Sequence, residues 1–464
     1  MFDVTAVLTL IIFALTVLFI MWRPHGINET ISTTVGAALI LLLGVVPFSD
    51  VYRILGIVNG ASITILSTIA MSIVLESIGF FRWVAFNLIH NAKGSGGVLY
   101  WYVNLLCFLM TLFFNNDGSI LITTPIIIQT VTILNLRRNQ KMPYLLSGAL
   151  VATAASAPIG VSNLANLIAL KIVGLDLNTY AAMMFVPSMI GIAVITLLLF
   201  MYFRKEIPKK IPVFSRTSFP LSLIQEWKHP QNRIRHPLAD PPQNQAPDTG
   251  YAIDWWMFRV CITIVILVRA SFFIFSSLGI SIEWIAIIGA LLLIAVRWYR
   301  KGMGAYDVIK KTPWHILIFA FSIYVIVYGL RNSGLIMLVV EQLRDPVASN
   351  HLNASLLMGV FLTVLSNVCN NLPSVMIGTL ALTEMGLDMQ TLQIAYLANI
   401  IGSDIGALIT PMGTLATLIW MFILRKNGII VSWNEYLRIT MLVIPIGLII
   451  SLLSLYLWTR WLFF

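Results

Sequence analysis

The chain has 464 residues, of which 59% are hydrophobic and 10% charged, and its mean hydropathy is +0.90. This composition excludes an ordinary soluble domain and predicts a polytopic membrane protein. The formal net charge of +10 does not indicate nucleic-acid binding, because the basic residues are spread over loop ends and one linker without forming a stripe.

Apolar runs of spanning length follow one another along the chain, at residues 4–21, 31–46, 181–203 and 440–458 among others. The first run lacks a basic n-region and a small-residue cleavage site, so we predict a first helix and not a signal peptide. One long polar interruption, residues 204–254, is rich in Pro, Gln, Asn and basic groups. It predicts a cytoplasmic linker between two membrane parts, residues 1–203 and 255–464.

The two membrane parts contain similar short sequence segments in the same order. ESIG at 76–79 and RNSG at 331–334 lie 255 positions apart, and the asparagine pairs at 115–116 and 370–371 share that spacing. NLANLI at 163–168 resembles TLATLI at 414–419 at a spacing of 251. The parts are therefore predicted to be internal repeats.

Loop charges predict that the second repeat is inverted. We take the NND segment as a re-entrant hairpin with its tip at 115–118, which puts Arg23, Lys93, the basic group at 137–141 and the linker on one side, cytoplasmic by the positive-inside rule. The second hairpin, with its tip at 369–374, then enters from the opposite face. The predicted fold class is an all-α polytopic membrane protein with two inverted-topology repeats, about ten transmembrane helices, two oppositely entering re-entrant hairpins, broken helices and both termini outside.

Polar breaks occur in corresponding places of the two repeats, and such breaks indicate a transport site. Besides the hairpin tips, helices are interrupted at 156–163 and 402–414, where freed backbone groups must be buried in protein or line a cavity. Amide and hydroxyl side chains supply neutral donors and acceptors there, or they satisfy the backbone of the breaks. The predicted substrate-binding residues are Asn115, Asn116, Ser162, Asn163, Asn166, Asn370, Asn371, Gly413, Thr414 and Thr417.

Three carboxylates, Asp117, Asp404 and Glu76, are predicted to couple transport to protons. A carboxylate inside the membrane is a functional candidate because loss of hydration favours its neutral form. The alternative for Asp117 is to cap the second hairpin arm, and Asp404 is open to a similar structural role. Arg331 matches Glu76 in the other repeat, so we predict that it is the charge partner of Glu76, in a structural or a coupling role.

The cysteines Cys107, Cys261 and Cys369 lie far apart and form no CxxC pair, so the sequence predicts no disulfide framework, no metal site and no cofactor. Packing as a small apolar residue is the default for each. Cys369 adjoins the second hairpin tip, where a passing sulfur contact with a substrate is the alternative.

Several sequence segments resemble those of a known family: FFNNDGSILITTPI, GVSNLANLIALKI, YFRKEIP, PWHILIFAFSIYVIVYGLRNSGL, NNLPSVMIGTLAL and YLANIIGSDIGALITPMGTLATLIW. The chain resembles the ArsB-type arsenical pump membrane proteins of the ion transporter superfamily over most of its length, least so at 212–250. The resemblance implies export of trivalent arsenite and antimonite in exchange for protons at the prokaryotic plasma (inner) membrane, alone or with a cytosolic ATPase. The family often has Pro and Lys before TP, where this chain has Ala407 and Leu408.

The predicted function is therefore a secondary active transporter working by alternating access, and not an enzyme. Arsenous acid is mostly uncharged near neutral pH, so amides and hydroxyls can hold its OH groups without a charge partner. A sodium-coupled or sodium/proton antiporter of the same architecture is the alternative. A passive channel also stays open, whereas the absence of HExxH and GxSxG disfavours an intramembrane enzyme.

Overall fold

The computed structural model describes residues 4–22, 28–213, 254–276 and 278–463, and these form helices and turns with no strand among them. The first half contains α1 (Val4–Trp22), α2 (Glu29–Leu42), α3 (Phe48–Ser77), α4 (Phe80–Asn91), α5 (Gly96–Phe113), α6 (Asn116–Ile133), α7 (Arg138–Ala154), α8 (Leu164–Val173) and α9 (Leu177–Tyr202). The second half contains α10 (Trp255–Ser276), α11 (Ile282–Lys301), α12 (Tyr306–Lys311), α13 (His315–Asn332), α14 (Leu335–Ser349), α15 (His351–Cys369), α16 (Asn371–Glu384), α17 (Met389–Asp404), α18 (Leu415–Lys426) and α19 (Trp433–Leu462). Arg23 and most of the predicted linker lie outside the described residues.

Short polar side chains fix where several helices begin. The Asp176 carboxylate accepts from the backbone N–H groups of Asn178 and Thr179 at 2.9 and 3.0 Å and so caps α9. Asp388 accepts from the N–H of Thr391 at 3.0 Å at the start of α17. The hydrogen bonds from Thr391 hold the pKa of Asp388 below its usual value. The caps satisfy N–H groups that a helix start leaves unpaired.

Ten helical segments of the described chain are long and apolar enough to cross a bilayer. Two of them, α5 and α15, are first arms of hairpins, because the chain reverses at Phe114–Asn115 and at Asn370 and returns as α6 and α16. Two further helices, α2 and α8, are apolar but shorter. The predicted class, an all-helical polytopic membrane protein, is confirmed. The turns are tighter than predicted, since Asp117 already lies in the first turn of α6.

Packing between the halves is reciprocal. α3 packs against α11 and α2 against α13, while α6 packs against α18 and α8 against α16. If α2, α3, α6, α8 and α9 correspond in order to α11, α13, α16, α18 and α19, each of these contacts maps onto its partner. The contact of α9 with α19 maps onto itself. A pseudo-twofold axis between inverted repeats produces this pattern.

The second hairpin lies very close to the broken helix beside it. A Cβ atom added to Gly402 of α17 would lie 2.3 Å from the carbonyl oxygen of Gly359 and 3.0 Å from Cβ of Leu362, both in α15. Small residues permit such close approach of helix backbones in membranes. Gly402 therefore sets the distance between α15 and the end of α17, two residues before Asp404.

We expect Gly402→Ala to destabilise the protein by about 1–3 kcal/mol, because the added methyl group meets backbone atoms that cannot rotate away. Gly56→Ala in α3 is the matched control, since a Cβ there has no heavy atom within 4 Å. Thermal unfolding in detergent measures both variants. A melting temperature for Gly402→Ala equal to that of Gly56→Ala would contradict the close packing.

Candidate functional site

Asp404 joins the two halves through its carboxylate. It lies at the end of α17 and is fully buried. Ser156 Oγ and Asn166 Nδ2 donate to one carboxylate oxygen at 2.8 and 2.6 Å, and Asn163 Nδ2 donates to the other at 2.9 Å. All three donors belong to the interrupted helix α7–α8 of the first half. We name these four residues the carboxylate cage.

The broken helix of the first half is shaped to hold an anion. Asn163 uses both ends of its amide: Oδ1 accepts from the N–H of Ala165 at 3.0 Å and caps α8, while Nδ2 reaches Asp404. The N-terminus of α8 thus lies against the carboxylate, where the helix dipole favours negative charge. A buried carboxylate is tolerated when such donors replace its hydration.

Two buried tyrosines hold the broken segment in place. Tyr180 Oη donates to the carbonyl oxygen of Ala157 at 2.6 Å, and Tyr396 Oη donates to that of Asn166 at 3.3 Å. Their rings lie 6.3 Å apart. One tyrosine comes from each half, so both halves support the backbone that carries the cage.

Two polar atoms of the broken segment have no hydrogen-bond partner among the described residues. They are Ser162 Oγ and Asn166 Oδ1, and both are buried. The predicted residue Ser162 is therefore close to the cage in sequence but donates nothing to Asp404. Unpaired polar atoms in a buried site leave capacity for a polar ligand.

The first hairpin tip carries a second carboxylate, that of Asp117. Asn115 Oδ1 accepts from the N–H of Gly118 at 2.5 Å, so Asn115 and not Asp117 caps α6. Asn116 Oδ1 accepts from the N–H of Asp117 at 2.8 Å. The Asp117 carboxylate accepts no hydrogen bond from the described residues, and α6, which carries it, packs against α7 and α18. Asp117 thus differs from Asp404, whose carboxylate accepts three hydrogen bonds.

The second hairpin tip contacts the break of its own half. Asn370 adopts a positive φ of 74°, and its Nδ2 donates to the carbonyl oxygen of Met412 at 3.1 Å. Asn371 is buried at the first turn of α16. Asn370 therefore connects the turn to the second break, while Asn371 is buried beside it.

Gly413, Thr414 and Thr417 form the start of α18. Thr414 Oγ1 accepts from the N–H of Thr417 at 3.1 Å, and the two hydroxyl oxygens lie 2.8 Å apart. A Cβ at Gly413 would lie 1.9 Å from the carbonyl oxygen of Ala407, so the loop needs glycine there. The structure brings these three residues together, but it gives them no bond to the carboxylate cage within the described chain.

The predicted pairing of Glu76 with Arg331 is wrong. Arg331 Nε donates to Glu384 Oε1 at 2.8 Å. The neighbouring Asn332 donates to the Asp50 carboxylate at 2.8 Å, which places the end of α13 beside the start of α3. Glu76 lies at the other end of α3, about 39 Å from Asp50 at the helical rise per residue. Inversion is the physical reason, because matching positions of inverted repeats lie towards opposite faces.

Two polar residues, Ser156 and Arg269, were not predicted from the sequence. Ser156 stands in a predicted interruption, but a single serine beside alanines gives no reason to choose it. Arg269 stands inside the apolar run of α10, and its guanidinium contacts carbonyl oxygens of Phe113 and Phe114 at the first hairpin. A charged residue within a spanning segment is the signal that would have identified it.

Cysteine and metal chemistry have no geometric support in the described part of the chain. Cys107, Cys261 and Cys369 are all free and buried. Across the described ranges, no group of three or more His, Cys, Asp or Glu side chains is placed to hold a metal ion. The side chains that form the carboxylate cage are one carboxylate, two amides and one hydroxyl.

We expect Asn166→Ala to destabilise the protein by about 1–3 kcal/mol, because Asp404 loses its shortest hydrogen bond while remaining buried. Thermal unfolding in detergent at neutral pH measures the change. Asn87→Ala is the control, since Asn87 donates to the carbonyl oxygen of Trp83 within α4 at 2.7 Å, away from the cage. Equal melting temperatures for the two variants would show that the cage bond contributes nothing.

Comparisons with known proteins identify the family. The family model described as arsenical pump membrane protein matches residues 8–228 and 247–459. The chain is 48% identical over 453 residues to the putative arsenical pump membrane protein of Bacillus subtilis strain 168, covering 97% of this chain and 99% of that relative. It is 32% identical over 428 residues to the arsenical pump membrane protein of Escherichia coli strain K12, covering 92% and 93%.

A solved structure supports the fold. The crystal structure of the Alcanivorax borkumensis YdaH transporter, described as having an unusual topology, matches with a TM-score of 0.53 at 12% identity. The match covers 88% of this chain and 87% of that one. From the family model and the two relatives we conclude that the chain belongs to the arsenical pump membrane protein family and is an arsenical transporter integral to the bacterial plasma membrane.

Proposed function

We propose that the protein exports trivalent arsenite and antimonite from the cytoplasm in exchange for protons, by alternating access at the carboxylate cage. Family membership supports the arsenical substrate. The observation that carries the exchange mechanism is the buried Asp404 carboxylate, whose three hydrogen bonds all come from the other half. In this proposal, the proton and the substrate both bind the Asp404 carboxylate.

Protonation of Asp404 would change the hydrogen-bonded contact between the two halves. An ionised carboxylate only accepts hydrogen bonds, and here three donors are directed at it. A protonated carboxyl carries its own O–H, which Ser156 Oγ can accept while the Ser156 hydroxyl donates to the carbonyl oxygen of Thr153 at 2.7 Å. The hydrogen bonds between the halves then lose the negative charge that strengthens them. Proton binding thereby loosens the contact that holds the two broken helices together.

A neutral arsenic or antimony hydroxide competes for the same acceptor. Its O–H groups can donate to the Asp404 carboxylate in place of Ser156, Asn163 or Asn166. The displaced amides can bond to the hydroxyl oxygens of the substrate. A protonated Asp404 accepts fewer such bonds, so substrate and proton exclude one another. Mutual exclusion at one carboxylate is a sufficient basis for exchange.

Asp117 is the second proton-coupling residue in this proposal. Its carboxylate is half-buried and lacks hydrogen bonds from the described residues, and α6, which carries it, packs against α7 and α18. A partly buried carboxylate without hydrogen bonds favours its neutral form. Asp117 can therefore relay protons between the hairpin tip and the cage. Glu76 is not part of the proposal, because it lies at an end of α3.

Sodium coupling, the alternative, is less well matched to the cage. The groups directed at Asp404 are N–H and O–H donors, whereas a sodium ion requires oxygen ligands around it. Asn163 Oδ1 already caps α8, so Asn166 Oδ1 and Ser162 Oγ are the unpaired oxygen atoms that the broken segment can offer to a cation. Two such oxygens fall short of a full ligand shell for a hard cation, and the proposal assigns coupling to protons. An ATPase partner is not required by this mechanism.

We expect everted membrane vesicles to accumulate arsenite when a proton gradient is imposed without ATP, and to lose that accumulation with a protonophore. Asp404→Asn and Asp117→Asn should each reduce proton-driven accumulation to background while inserting normally, because neither amide can release a proton. Asp345→Asn is the matched control, since Asp345 is exposed on α14.

Each other outcome has a definite meaning. Accumulation that follows an imposed sodium gradient supports the alternative. Equilibration without uphill accumulation indicates a passive channel, and a requirement for ATP with a partner protein indicates a pump subunit. Ordinary pH-dependent export by both carboxylate variants would rule out the proposed coupling residues.

A further inference from the structure

Arg269 is a buried cation in the middle of an apolar helix. It is 7% exposed and lies in α10, whose other residues from 260 to 276 are uncharged. A charged side chain inside a spanning helix is costly to insert, which makes it a functional candidate by default.

The Arg269 guanidinium binds the first hairpin at its turn. Nε donates to the carbonyl oxygen of Phe113 at 2.6 Å, and Nη2 donates to that of Phe114 at 2.5 Å. These bonds connect α10 of the second half with the last residues of the first hairpin arm. The ring of Phe272, on the same helix, lies 5.3 Å from the guanidinium carbon. Arg269, a residue of the second half, therefore binds the backbone of a turn that belongs to the first half.

The two carbonyl groups lie at the end of α5, where the helix itself offers them no donor. The last carbonyls of a helix have no partner within it, and they carry partial negative charge. Phe114 also leaves helical geometry, with φ of −121° and ψ of −90°. The next residue, Asn115, caps α6 and begins the segment that carries Asp117. The position of that segment therefore depends on the backbone that Arg269 holds.

Among the described residues, an arginine of the opposite half binds the first hairpin turn but not the second. The second tip is held by Asn370, which donates to Met412 within the same half. The helix corresponding to α10 in the first half is α1, whose described residues carry no charge. Arg269 is thus an asymmetric addition to an otherwise repeated architecture. Its Nη1 is buried without an acceptor among the described residues, so packing alone does not account for the guanidinium.

We propose that Arg269 is a positioning residue of the transport site, which sets the first hairpin tip, with Asn115, Asn116 and Asp117, at its working distance from Asp404. Its action on transport rests on the proposed function. Its action on the tip does not. Lysine in its place keeps the charge but cannot bridge two carbonyl groups in a fixed fork.

The first test is hydrogen–deuterium exchange of the intact protein in lipid nanodiscs. In the unaltered protein, amides of residues 114–119 should exchange more slowly than those of the second tip at residues 370–375. In Arg269→Lys, exchange over 114–119 should rise by about tenfold or more, because opening of the turn costs less free energy. Arg269→Gln, which keeps one donor, serves if the lysine variant does not fold.

Arg297→Lys is the matched control, since Arg297 is another buried arginine of the second half. It donates to the Asp307 carboxylate through Nη1 at 2.8 Å, away from both tips. This variant should lower the melting temperature without a local change at 114–119. Equal exchange at the two tips of the unaltered protein, or exchange that rises throughout the chain in both arginine variants, would overturn the proposal.

The second test is proton-driven arsenite uptake into everted vesicles. Arg269→Lys should raise the KM for arsenite by about tenfold or more with a smaller change in the maximal rate, because displaced groups bind the substrate poorly. Arg297→Lys should leave the KM unchanged. An unchanged KM in Arg269→Lys rejects the positioning role. If the unaltered protein moves no arsenite, the proposed function fails, and the exchange experiment alone decides whether Arg269 holds the tip.

Discussion

The architecture depends on one constraint, the full burial of a carboxylate between the two halves. Asp404 is fully buried between two interrupted helices, and hydrogen bonds from the other half replace its hydration. A break in one helix must therefore face a break in the other. The reciprocal packing of the hairpin arms α6 and α16 against the broken helices of the opposite halves encloses this junction.

Much of this arrangement was predictable from the sequence, because its causes are local. Apolar length identifies spanning segments, and Asn, Gly and Pro within such segments identify the breaks. The predicted residues Asn163, Asn166 and Asp404 do meet in one cluster. The predicted ion pair of Glu76 and Arg331 failed for a physical reason. A shared position in two inverted repeats implies opposite faces, so sequence equivalence argues against contact at helix ends.

Other features depend on partners that leave no pattern in the sequence. Ser156 matters because of the carboxylate opposite it, and a lone serine beside alanines does not reveal that partner. Arg269 binds backbone carbonyl groups, which every residue possesses. Neither contact could be found by matching side chains that complement each other. Pairwise patterns detect side-chain partners, whereas these bonds required the three-dimensional fold.

The functional elements depart from the symmetry of the scaffold. The carboxylate at the junction comes from the second half, its donors from the first, and the hairpin tip with Asp117 is fastened by an arginine of the second. Two symmetry-related carboxylates at the junction would repel each other, and there would be too few hydrogen-bond donors to satisfy both. One carboxylate with three donors from the other half avoids that repulsion. The asymmetry thus places one carboxylate, and not two, where the interrupted helices of the two halves meet.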